Sequence, residues 1–117
     1  MFNEKEFSRK HGESLTKIID GLALEYSEFL ENRSISEADK IAKNELGNII
    51  SYMDLSDAEL SEKLYPLLNK LSESILNWDK EKAWITASNI KSIHQAAFDK
   101  ARGVSKESLI QIYNMMP

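Results

Sequence analysis

The stretch LSDAELSEKLYPLLNKLSESILNW, Leu55 to Trp78, decides the fold class of this chain. Its apolar residues Leu60, Leu64, Leu67, Leu68, Leu71, Ile75 and Trp78 recur at helical spacing and keep one face apolar. Ser56 is placed to cap the free amides at the start, Glu59 stands at the return position of a capping box, and Leu55 and Leu60 bracket both as a hydrophobic staple. A helix with such a face must bury it, so other helices have to be arranged around this one. Pro66 interrupts the run. It removes the amide that would bond the Glu62 carbonyl, at a cost of about 3 kcal/mol in an ordinary helix interior. Either the helix kinks there or Pro66 starts a second helix. The stripe keeps its phase through the proline, which favours the kink.

Upstream, Ala38, Ile41, Ala42, Leu46, Ile49 and Met53 share the buried face of a second helix, entered from the polar segment Glu31 to Ser36 with Ser34 or Ser36 as cap. Before it, Phe7, His11, Leu15, Ile18, Leu22, Tyr26 and Phe29 trace a first helix of roughly 40 Å at 1.5 Å per residue. Asn3 is its expected cap, with Glu6 as box partner and Phe2 and Phe7 as staple. Gly12 and Gly21 weaken it, and a break near Gly12 is the alternative to one continuous helix.

Downstream, Asn77 to Lys80 reads as a turn and Asp79 as the next cap. Ala83, Ala87, Ile90, His94, Ala97 and Ala101 then alternate in steps of four and three, flanked by Ile93 and Phe98. Small residues in such a row allow a neighbouring backbone to come close, so this helix is expected to sit tightly against others. Arg102-Gly103-Val104 is a helix stop, with Gly103 free to take the left-handed conformation. Ser105 caps a short last helix whose Leu109, Ile112 and Tyr113 would close one end of the bundle. The expectation is therefore all-α: a four-helix bundle-like single domain over residues 1–117, kinked at Pro66, with a short fifth C-terminal helix. Its helices lie near 3–31, 35–53, 56–78, 80–102 and 105–114. Ile18, Leu22, Ile49, Leu64, Leu68, Leu71, Ile90 and Ala97 are the expected core.

Composition supports this class. A chain of 117 residues with 42% hydrophobic and 29% charged residues can bury a core without staples, and the absence of cysteine excludes disulfides and thiolate metal sites. The opening Met-Phe-Asn-Glu-Lys-Glu has no apolar export region and no run is long enough to span a bilayer, so the cytoplasm is the expected compartment. A net charge of −4 argues against direct nucleic-acid binding and permits a basic partner.

Three polar residues fall on stripes expected to be buried: His11, Glu45 and His94. A carboxylate and two imidazoles could hold a metal or act as an acid–base pair. The glutamate-to-histidine spacing of di-metal bundles is absent, however, and a buried Glu–His contact is the plainer account. No phosphate loop, nucleophile elbow or zinc motif occurs, so neither catalytic residues nor a metal or cofactor is expected. Two surfaces are candidates for protein docking. Asp54, Asp57 and Glu62, with Glu59, gather at the junction of the second and third helices, and Glu25, Glu28 and Glu31 form a second acidic group. Acid at a helix start also satisfies the helix dipole, so the junction has a purely structural explanation too. Trp78, Trp84 and Ile85 cluster around the third turn, and since Ile85 lies opposite the alanine stripe, at least one of them should be exposed.

These features suggest a small acidic protein-binding module, an inhibitor of the immunity-protein or antitoxin kind that neutralises a basic toxin or nuclease. The alternative is a structural or chaperone-type bundle that homodimerises or holds a secreted client; a third is an enzyme or metal protein built on His11, Glu45 and His94.

Overall fold

The computed structural model describes residue 9, residues 12–32 and residues 35–117. The expected Asn3 cap with its Glu6 partner, the Phe2–Phe7 staple, His11 and the Ser34 cap lie outside the described residues. The rest forms five helices with no strand among the described residues: α1 Glu13–Glu31, α2 Ile35–Tyr52, α3 Asp57–Leu76, α4 Lys80–Ala101 and α5 Lys106–Met115. The expected all-α, bundle-like architecture holds, with two corrections of detail at the ends. Gly12 adopts φ 90°, outside helical geometry, so the first helix is broken there and α1 starts at Glu13. Ser36 lies inside α2 rather than capping it.

Local chemistry sets the remaining boundaries. Ser56 Oγ accepts from the Glu59 amide while the Ser56 amide donates to Glu59 Oε1, both at 3.2 Å, completing the capping box of α3. Asp79 accepts from the Lys82 amide at the start of α4, and Ser105 from the Ser108 amide at the start of α5. Pro66 does not divide α3: the helix runs through it, with the ring on the exposed side. An exposed face is where a carbonyl deprived of its helical partner still reaches water.

The organising element is α4 and not α3, which corrects the expectation that the other helices surround Leu55 to Trp78. Helices α1, α2 and α3 all pack on α4; among the described residues α3 meets no other helix to a comparable extent, and α5 packs on α2. The assembly is a slab of 38 × 37 × 18 Å, no more than two helices thick. Ala83, Ala87, Ile90, Ile93, Ala96 and Ala97 of α4 are buried, as are its polar Thr86, Ser92, His94 and Asp99. That set reaches well beyond one stripe, because neighbours approach α4 from several sides. The small residues make this close approach feasible, and the buried hydroxyls turn back on their own helix: Thr86 to the Lys82 carbonyl at 2.7 Å and Ser92 to the Ser88 carbonyl at 3.1 Å.

Leu60, Leu64 and Leu71 from α3 and Ile19 from α1 complete the core, with Leu15, Leu22, Leu67 and Leu68 packed around it. Of the expected core, Leu64, Leu71, Ile90 and Ala97 are buried, while Leu22, Ile49 and Leu68 are half-buried. Ile18 is a correction: it is 46% exposed and its neighbour Ile19 is buried. Leu15–Ile18–Leu22 and Leu15–Ile19–Leu22 are equally good helical stripes, and the rotation of α1 against α4 selects the second.

Candidate functional site

The turn between α3 and α4 carries the most unusual backbone among the described residues. Asn77 closes α3, its amide donating to the Glu73 carbonyl at 3.0 Å. The Trp78 amide then donates to the Ile75 carbonyl at 3.1 Å and the Asp79 amide to the Ser74 carbonyl at 2.9 Å. This pair of bonds is a Schellman motif, which demands a left-handed residue at its pivot, and Trp78 takes φ 55° to supply it. Glycine is the usual occupant. A residue with a Cβ in this conformation costs about 1–2 kcal/mol. The indole regains none of that by packing, since Trp78 is 93% exposed.

Leu76 and Ile75, immediately before the turn, are 79% and 43% exposed. The helical stripe had placed Ile75 and Trp78 on the buried face of α3; the structure corrects both. Burial on α3 extends to Ser74; among the described residues α4 is its main neighbour, and the last turn stays exposed. The signal was present in the sequence as Asn77-Trp78-Asp79, a tryptophan bracketed by turn residues.

The other two members of the expected aromatic cluster lie elsewhere. Trp84 is half-buried against α1: its ring lies 5.1 Å from Phe29 and 6.3 Å from Tyr26, centroid to centroid, and its Nε1 donates to Glu25 at 2.8 Å. That arrangement makes Trp84 part of the fold. Ile85 is 40% exposed and lines a groove towards α2 with Ile41, Asn44 and Asn48. Trp78, Trp84 and Ile85 thus point into three surroundings, and Ile75 and Leu76 are the residues that extend the Trp78 surface.

At the acidic junction, Asp54 and Glu62 are exposed as expected and Glu59 is tied into its box. Asp57, the first residue of α3, is half-buried, which corrects the expectation that it is exposed; the first turn itself is not the cause, since Glu59 in the same turn is exposed. The junction also carries its own cations. Lys106 pairs with Asp54, and the Lys100 ammonium donates to the Leu55 carbonyl. Glu59 and Glu62 line a cleft of about 630 Å³ with Lys63, Tyr52, Pro66 and Leu67. Burial raises the Tyr52 pKa above its ordinary value. The anionic field here is therefore weaker than the count of carboxylates suggests.

His11 lies outside the described residues, so the three-residue constellation reduces to Glu45 and His94. Glu45 accepts from Ser88 Oγ at 2.7 Å. His94 follows Ser88 by six positions, about 120° around the helix, and is buried in α4. Among the described residues no three His, Asp or Glu side chains gather as a metal ion would require. Comparison of the chain with protein-family models, with curated proteins and with solved structures finds no match in any of the three.

Proposed function

We propose that this chain is a protein-binding module that docks through the Ile75–Leu76–Trp78 surface. One observation carries the reading: Trp78 occupies a strained left-handed position where glycine would be more stable, and its indole faces solvent almost entirely. Folding gains nothing from that arrangement. A large rigid aromatic ring of this kind is the commonest anchor of a protein interface. Within this reading, the net charge of −4 and the carboxylates Asp54, Asp57 and Glu62 favour a basic partner. An inhibitor of the immunity-protein or antitoxin kind, acting on a basic toxin or nuclease, is the form of the module we propose.

A second reading has its own support. The exposed Tyr65, Ile75, Leu76 and Trp78 all belong to α3 or its final turn, and among the described residues α3 is an edge helix packed chiefly on α4. An apolar edge of this sort also suits self-association into a structural bundle, or the holding of a client.

The test pairs affinity with sedimentation. A basic protein co-purifying with the wild-type chain from its native cells should bind the Trp78→Gly variant at least about thirtyfold more weakly, the loss of an anchor worth 2 kcal/mol or more. Reversing Asp54, Asp57 and Glu62 to lysine should weaken binding further and reduce its salt dependence. Retained affinity in Trp78→Gly removes the docking surface proposed here. A concentration-dependent dimer that Trp78→Gly abolishes moves that surface to the second reading.

A further inference from the structure

We propose that the cleft formed by the end of α1 and the starts of α2 and α4 binds a methylated ammonium cation. This site is separate from the Trp78 surface and stands whether or not that surface docks a partner.

The cleft encloses about 330 Å³ and is lined by Tyr26, Phe29, Leu30, Ile41, Glu37, Glu81 and Lys40. Size and lining suit a small organic ligand: mostly aromatic and aliphatic wall, with a few charged groups to orient it. Tyr26 and Phe29 contribute aromatic rings to the lining, and Glu37 and Glu81 outnumber Lys40, so the lining carries a formal charge of −1. Trp84 stacks on Tyr26 and packs at a tilt on Phe29, buttressing both rings, while its own Nε1 donates to Glu25. On this aromatic cluster one cation is already seated: the Lys80 ammonium lies 5.3 Å from the centre of the Trp84 ring. The cluster therefore accepts positive charge, and two further rings of the same cluster, Tyr26 and Phe29, line the cleft.

The electrostatics agree with the geometry. The Tyr26 hydroxyl is raised above its ordinary pKa by burial first, and then by the negative charges of Glu45 and Glu81. A methylated ammonium suits this wall better than a primary one. Its charge is spread over apolar methyl groups that need no hydrogen-bond acceptor, and Leu30, Ile41 and Phe29 offer none. Lys40 is the opposing element, a cation in the lining that repels the ligand.

The experiment uses the full chain carrying Trp78→Phe, so that Trp84 is the one remaining indole to report by fluorescence. Choline is titrated beside its uncharged isostere 3,3-dimethylbutan-1-ol, each against sodium chloride at matched ionic strength. Choline should give a saturable change and bind roughly tenfold more tightly than the isostere. Glu81→Gln, at an exposed position, should weaken choline severalfold and leave the isostere unchanged; Lys40→Met should tighten choline. Equal affinity for choline and the isostere overturns the proposal, because the cleft would then be selecting shape and not charge. Absence of a saturable signal with choline overturns it as well.

Discussion

Helices α3 and α4 are near equals in length, 20 and 22 residues, and each opens on a side-chain cap and closes on the same backbone motif. At the end of α4, the Gly103 amide donates to the Lys100 carbonyl and the Val104 amide to the Asp99 carbonyl, with Gly103 at φ 78°. At the end of α3 the same two bonds form around Trp78 at φ 55°. One cap uses the residue that fits, and the other uses a tryptophan that does not. The helices differ as much in their surroundings. Among the described residues three helices press on α4, which buries alanine, serine and threonine; α3 packs chiefly on α4, buries a narrow leucine stripe and leaves its end exposed. The lesson is that the fold places its economy in α4 and its strain at the tip of α3. Strain that adds nothing to packing is the ground on which the docking role of Trp78 is proposed.

The largest effect that would break this comparison is a core truncation. Ile90→Ala should destabilise the protein by about 2–5 kcal/mol, since Ile90 is fully buried where α4 meets its neighbours. Leu68→Ala on the half-buried side of α3 should cost about half as much. Urea denaturation of both variants measures the pair, and equal losses would show that α3 is embedded as deeply as α4.

Next in size are exchanges at the two caps. Gly103→Val should destabilise by about 1–2 kcal/mol, because a β-branched residue at positive φ is strained whatever the space around it. Trp78→Gly should go the other way and stabilise the free protein by about 0.5–1 kcal/mol, the relief of strain less the extra chain entropy of glycine. A rise in melting temperature upon removal of a tryptophan is an unusual outcome and hard to obtain by any other route. A loss of stability in Trp78→Gly would mean that the indole packs on the fold.

The smallest effect is expected at the acidic junction where α2 leads into α3. Asp54→Asn should change stability by about 0–1 kcal/mol and by less in high salt, since its pairing with Lys106 is solvent-exposed. A larger cost that persists in salt would make the junction a structural clamp between the α2–α3 connection and α5, leaving it a weaker candidate for a docking face.

How much of this was legible beforehand depends on the range of each interaction. The helices, the Ser56–Glu59 box, the Asp79 and Ser105 caps and the Gly103 stop all rest on contacts within five residues, so the chain specified them without reference to its neighbours. The helical class followed for the same reason: a 3.6-residue apolar period, few glycines and one internal proline admit little else. Trp78 was marked as a turn residue and a candidate for exposure, yet its apolar stripe also claimed it for the core. Nothing local could resolve that conflict, since burial depends on whether another helix covers the last turn. The choice between Ile18 and Ile19 is of the same kind, made by the rotation of α1 against α4. So is the identity of the central helix. The leucine-rich stripe of α3 is the stronger pattern in the sequence, but the small residues of α4 let three helices approach at once, and close packing from several sides is a property of the assembled chain alone.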